Sequence, residues 1–148
     1  MNTKPSIWIF DLDGTLADLR HRRHYVENGN RQWDAFHQAC GEDALIKPVA
    51  DVFRGLQDVG FSIWILSGRS DSVRRQTQSW LDHHHLYPDK LIMRRDGDYQ
   101  PDTSLKEGWL LDIQKTHTVL GVFDDRKRLV DMWRSHGLVC FQVAEGNF

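Results

Sequence analysis

Five short apolar runs, at residues 7–10, 63–66, 91–93, 119–123 and 139–143, set the strongest limit on how this chain folds. None of them alternates apolar with polar residues. A strand with one wet face alternates with a period of two, so these runs read as strands covered on both faces, the condition of a parallel sheet. Stripes at helical spacing lie between them. Val49, Val52, Phe53, Leu56 and Val59 form one, bounded by Pro48 and Gly60. Val73, Thr77, Trp80 and Leu81 form a second, and Leu105, Trp109 and Ile113 a third. Leu129, Met132, Trp133 and His136 form a fourth, closed by Gly137. Ser104-Leu105-Lys106-Glu107 has capping-box spacing and predicts a helix start there. The alternation predicts an α/β, Rossmann-like three-layer sandwich with a mostly parallel central sheet and right-handed crossovers.

Residues 17–47 interrupt that alternation. They hold no strong strand, and Trp33, Phe36 and Ala39 suggest one short helix. The stretch reads as a small cap or flap inserted after the first strand of a single domain over residues 1–148. A chain of 148 residues with 40% hydrophobic and 27% charged residues can build a core and is too apolar to be disordered. No apolar run approaches the roughly 20 residues of a membrane span, and residues 7–10 stop at Asp11, too short for a secretory leader. A cytoplasmic protein is expected. A formal net charge of -2 argues against a dedicated duplex-DNA binder. Cys40 and Cys140 have no metal-ligand spacing and read as small buried hydrophobes.

Sites in open α/β sheets lie at the carboxyl ends of strands. Here the first strand runs into Asp11-Leu12-Asp13-Gly14-Thr15, the second into Ser67-Gly68-Arg69, and the fourth into Asp124-Asp125-Arg126. Four carboxylates on one rim repel one another. An all-oxygen, carboxylate-rich set calls for a hard divalent cation, and Mg²⁺ suits it. A single Asp could equally be a helix cap, with Asp125 capping the helix that carries Leu129 and Met132. Pairs at two strand ends together weigh against that. A carboxylate can attack phosphorus, and a second can protonate the leaving oxygen and then activate water. The phosphoryl oxygens then need donors. Ser67, the Gly68 amide, Arg69 and Lys106 are candidates, Lys106 being placed in the first turn of a helix whose dipole favours phosphate.

These motifs resemble the haloacid dehalogenase superfamily of Mg²⁺-dependent aspartyl-phosphatases. DLDGT at 11–15, LSGR at 66–69, Lys106 and FDDR at 123–126 occur in the family's order. The tail, from Asp124 through Val130-Asp131-Met132-Trp133-Arg134 to Phe141–Phe148, is similar to the end of the 3′-phosphatase domain of bacteriophage polynucleotide kinase. The resemblance implies Asp11 as nucleophile and Asp13 as general acid/base. It implies Ser67 and Lys106 on the phosphoryl oxygens, and Thr15, Gly68, Arg69, Asp102 and Arg22 binding or arranging substrate. Arg20 and Arg23 compete for the place given to Arg22. The metal would be held by Asp11, the Asp13 backbone carbonyl, Asp124 and, directly or through water, Asp125. The implied activity is a Mg²⁺-dependent phosphomonoesterase, working through an aspartyl-phosphate, that removes 3′-phosphates from DNA or RNA ends. A nucleotidase acting on free mononucleotides is the alternative. A non-catalytic phospho-acceptor receiver fits less well, because it has no need of Asp13 as an acid. The chain contains no GxxxxGK[ST], so 5′-kinase activity is not expected. Expected partners are nucleic acid ends or nucleotides, with no membrane and no obligate protein partner inferable.

The remaining conspicuous residues have plainer readings. His83-His84-His85 reads as a solvated helix end. His21 and His24 lack further zinc ligands and join the basic run Arg20–His24, for which contact with a nucleic acid backbone is favoured. Trp33 and Phe36 read as cap core ahead of a base-stacking platform, and Arg94-Arg95 as a polar turn.

Overall fold

The computed structural model describes residues 3–147. Five strands, β1 (Ser6–Phe10), β4 (Ser62–Ser70), β5 (Lys90–Arg94), β6 (Thr118–Asp124) and β7 (Cys140–Gln142), form one sheet in the order β5-β4-β1-β6-β7. Every pairing in it is parallel. The five strands coincide with the five apolar runs, and the lack of alternation has its expected cause. Phe10, Ile63, Ile65 and Phe123 face a core shared with helices α2 (Lys47–Asp58) and α3 (Arg74–His83). Ile7, Ile9, Leu66 and Val122 face a second core under α4 (Asp102–Gln114) and α5 (Lys127–Ser135). The Phe10 and Phe123 rings stack with centroids 4.3 Å apart, tying the two central strands together at the end where the acidic motifs begin.

The strand order decides where the chemistry sits. The chain runs outward from β1 to β4 and β5, then returns to the other side of β1 for β6 and β7. The carboxyl ends of β4, β1 and β6 are therefore adjacent, at the point where the order reverses.

Residues 17–45 leave and rejoin this body through a two-residue antiparallel ladder, β2 (Ala17–Asp18) on β3 (Ala44–Leu45). Between them lie two 3₁₀ turns, Arg20–Tyr25 and Ala39–Glu42, and the one expected short helix, α1 (Trp33–Gln38).

One local expectation fails, and one alternative is excluded. The capping box at Ser104 does not form: α4 starts at Asp102, behind Pro101 at φ -56° and ψ 147°. The proline ring fixes an extended entry, and Asp102 places its charge in the first turn, where the helix dipole favours it. Lys106 thus lies in the second turn, away from the helix's exposed amides. Asp125 is not a helix cap either, since Arg126 occupies that position before α5. The histidines 83–85 end α3 as expected, with His85 at φ 55° in the left-handed region. No helix among the described residues is long and apolar enough to cross a membrane.

Candidate active site

Asp11 is the first residue beyond β1, and its amide donates to Phe123 O at 2.9 Å, locking it to the end of β6. The chain then turns tightly. The amides of Thr15, Leu16 and Ala17 all converge on Leu12 O, and the Gly14 amide donates to Ala17 O at 2.8 Å. Gly14 sits at φ +82°, and a Cβ there would collide with the Asp125 carboxylate. The turn therefore requires glycine on two counts, conformation and space.

Asp11, Asp124 and Asp125 are buried together, with carboxylate oxygens within 4.8 Å of one another. The Lys106 ammonium donates to Asp11 Oδ1 at 2.6 Å and lies 4.0 Å from Asp124 Oδ2. Thr15 Oγ1 bridges Asp11 Oδ2 at 3.3 Å and Asp125 Oδ1 at 3.4 Å. Trp133 Nε1 donates to Asp124 Oδ2 at 3.0 Å, and the Arg126 amide to Asp124 Oδ1 at 3.1 Å. Three carboxylates against one ammonium leave two negative charges in a water-poor pocket. Burial, followed by repulsion from Asp124 and Asp125, holds the Asp11 carboxyl well above the usual carboxylate range despite Lys106, and burial with Asp124 raises Asp125 too. Burial lowers the proton affinity of Lys106, but Asp11 and Asp124 outweigh it and keep it charged. A hard, oxygen-preferring divalent cation matches both the donor set and the uncompensated charge.

Asp13 faces the other way. Its Oδ1 accepts from Arg22 Nη2 at 2.8 Å and from Arg69 Nε and Nη2 at 3.0 and 2.7 Å. Burial alone would raise this carboxyl, but Arg69 and then Arg22 overcome that and lower it. Behind both guanidiniums lies Asp43. Its oxygens accept from Arg22 Nε and Nη2 at 2.8 Å each and from Arg69 Nη2 at 2.9 Å. Two cations and two anions balance, which is what lets them share a buried site. His21 Nε2 lies 2.6 Å from Asp43 Oδ1, and Asp43 O accepts from Trp80 Nε1 at 2.7 Å. A register shift between Ser67 and Ser70 on β4 leaves Gly68 and Arg69 out of the ladder and turns Arg69 inward.

The site residues read from the sequence thus fall into separate places. Asp11, Asp124, Asp125, Lys106 and Thr15 are in direct contact, although the Thr15 hydroxyl is held by carboxylates. Arg22 is fully buried behind Asp13, with Phe36 O as a further acceptor at 3.3 Å. Arg20 and Arg23 are exposed and paired with Asp18 and Glu27. Ser67 is buried, its Oγ accepting from the Arg69 amide at 3.2 Å. Asp102 holds neither Lys106 nor Arg69. It pairs with Arg94 and, at 2.7 Å, with Arg126. Arg94 is the last residue of β5 and no turn residue. It also donates to Gly68 O at 2.9 Å. Asp43 is not picked out from the sequence, and Trp133 and Arg94 read there as a helix-stripe residue and a turn residue, not as parts of the site. Their contacts with the site join residues far apart or on different elements, and only the folded register brings them in.

Against known proteins, the family described as polynucleotide kinase PNKP phosphatase domain matches residues 5–148. The solved Pnkp1/Rnl/Hen1 complex contains a chain that superposes with a TM-score of 0.84 at 36% identity, over 100% of this chain and 49% of that one. The class C acid phosphatase of Bacillus anthracis with tungstate bound shares the fold, with a TM-score of 0.68 at 15% identity over 97% of this chain and 70% of that one. A protein of Autographa californica nuclear polyhedrosis virus, described as a bifunctional polynucleotide kinase/RNA ligase, is 29% identical over 133 residues, 88% of this chain and 18% of its own length. The chain spans about half the length of the first of these structures and under a fifth of the viral relative.

Proposed function

This chain belongs to the polynucleotide kinase PNKP phosphatase-domain family, and we propose that it removes 3′-phosphates from polynucleotide ends as a Mg²⁺-dependent phosphomonoesterase working through an aspartyl-phosphate. The observation that carries this is the division of labour between Asp11 and Asp13. One lies among carboxylates that need a cation, and the other is held apart by two arginines.

Asp11, Asp124 and Asp125, with the Asp13 backbone carbonyl, would hold the ion. Bound there, Mg²⁺ would neutralise the excess charge and polarise a phosphoryl oxygen. Lys106 orients Asp11 and carries positive charge toward the phosphoryl group. Ser67 and the Gly68 amide supply donors at the end of β4. Asp11 attacks phosphorus and the bond to the 3′-oxygen breaks, that oxygen taking a proton from Asp13. Asp13 then takes a proton from the water that attacks the aspartyl-phosphate, releasing inorganic phosphate and restoring Asp11. Arg22 and Arg69 hold the resting Asp13 ionised. The doubly charged phosphate entering beside it raises its proton affinity, so Asp13 takes up a proton from solvent as the substrate binds. Asp102, through Arg94 and Arg126, fixes the approach to the Gly68 backbone. Residues 17–47 act as a small cap that leaves the rim open to a polymer end.

Family membership favours the polynucleotide over the free nucleotide. The test is hydrolysis of a 3′-phosphorylated oligonucleotide beside free 3′- and 5′-nucleotides. Faster turnover of the oligonucleotide is expected, and turnover at or below that of the free 5′-nucleotide overturns the substrate assignment. Release of phosphate from p-nitrophenyl phosphate, lost in Asp11→Asn, separates an enzyme from a phospho-acceptor receiver.

A further inference from the structure

Five of the six tryptophans are buried or half-buried, but Trp33 on α1 is 53% exposed. Exposure alone means little, since Tyr99 and Val59 are exposed too. What sets Trp33 apart is how it is held. Phe36 meets its ring edge-on, at 87° with centroids 5.8 Å apart, and His37 lies near-parallel at 30° and 6.3 Å. Phe36 is buried and is the cap-core residue expected of this helix. Its ring packs 4.4 Å from the Arg22 guanidinium carbon, and its carbonyl accepts from the same side chain. Arg22 in turn holds Asp13. The exposed indole and the proposed acid/base thus lie on opposite sides of the Phe36–Arg22 contact. Contacts at 5.8, 4.4 and 2.8 Å, from Trp33 to Phe36, Phe36 to Arg22 and Arg22 to Asp13, connect this end of α1 to the site. The buried Nδ1 of His37 has no hydrogen-bond partner, so little but packing orients the ring.

We propose that Trp33, backed by Phe36 and His37, is the platform on which the terminal base of a single-stranded 3′-phosphorylated end stacks, so that the cap selects unpaired polynucleotide ends. This rests on the 3′-phosphatase reading above. Every base has a π-face, so an aromatic platform takes any unpaired end without reading its sequence. A base at a blunt duplex end is already paired and stacked on its neighbour and must give that up first. An indole already packed against Phe36 and His37 has less freedom to lose on binding than a fully solvated one.

The test compares kcat/KM on three substrates: a single-stranded 3′-phosphorylated oligonucleotide, the same strand with an abasic terminal residue, and p-nitrophenyl phosphate. In the wild type, removing the terminal base is expected to lower kcat/KM roughly 5- to 100-fold, mainly through KM, as loss of one base–aromatic stack does. Trp33→Ala is expected to lower the ratio of oligonucleotide to p-nitrophenyl phosphate kcat/KM by the same factor, and Trp33→Phe to restore most of it. In Trp33→Ala the abasic strand should be no worse than the intact one. Equal losses on all three substrates would make Trp33 merely structural and overturn the platform. A wild type indifferent to the terminal base overturns it without any variant. If the wild type prefers a free 5′-nucleotide to the oligonucleotide, the 3′-phosphatase reading fails and takes the platform with it. If the oligonucleotide is preferred and the ratio does not move, the platform alone fails.

Discussion

Replacing Asp43 by Asn tests whether the buried charge square behind Asp13 does what its geometry implies. Asp43 is fully buried and accepts three hydrogen bonds from Arg22 and Arg69, with His21 Nε2 beside it at 2.6 Å. Asparagine keeps the volume and one acceptor oxygen, but its amide would face the Nη2 groups of Arg22 and Arg69, donor against donor. Two guanidiniums would then share the one carboxylate of Asp13. Removing one partner of a buried ion pair costs about 3–5 kcal/mol. Against the roughly 5–15 kcal/mol of a domain this size, the loss is about a fifth or more of total stability. A misplacement of Asp13 by about 1 Å should also lower kcat on the order of a hundredfold. Urea unfolding followed by circular dichroism gives the first quantity, and turnover of p-nitrophenyl phosphate the second. A variant that unfolds at the wild-type urea midpoint and turns over normally would refute the reasoning, because it would mean the arginines hold Asp13 without their counter-charge.

Further outcomes can be checked in parallel. Asp13→Asn should lower turnover about a hundredfold or more, while Mg²⁺ still raises the melting temperature, because the ion's carboxylates lie elsewhere. Gly14→Ala forces a Cβ into the Asp125 carboxylate at a positive φ. It should lose about 1–3 kcal/mol of stability and its melting response to Mg²⁺, and a normal response refutes the clash. Trp133→Phe removes the donor to Asp124 Oδ2 and should weaken Mg²⁺ affinity roughly 10- to 100-fold in a titration by calorimetry. Asp11 and Asp125 have raised folded-state proton affinities. The metal-free protein is therefore penalised as pH rises through their folded values, and relieved below the ordinary carboxylate range. The gain in melting temperature on adding Mg²⁺ should be larger at pH 8 than at pH 5. Asp13 runs opposite, its lowered value contributing stability above the ordinary range and losing it in strong acid. A Mg²⁺ shift that does not depend on pH counts against the buried-carboxylate account.

Much of the fold was legible because it rests on local patterns. A strand buried on both faces must be apolar throughout, and that made all five sheet strands visible. The carboxylates of Asp11, Asp124 and Asp125 were legible for a related reason. A residue at or just past a strand end in an open parallel sheet is delivered to one rim whatever the rest of the chain does. Helix starts were less visible, because Pro101 and Ser104 both carry start signals and only the fixed φ of proline decides between them.

The amino-acid order alone determined the strands, the alternating layers and the acidic motifs, since these follow from neighbours a few residues apart. Tertiary structure decided the rest. That Thr15 touches Asp125, 110 positions away, that Arg22 turns inward to Asp13 and not outward, and that Asp43 balances two arginines depend on strand order and on the ladder closing residues 17–45. Whether a buried charge is satisfied depends on which distant partner the packing brings to within hydrogen-bond distance, and no local pattern records that.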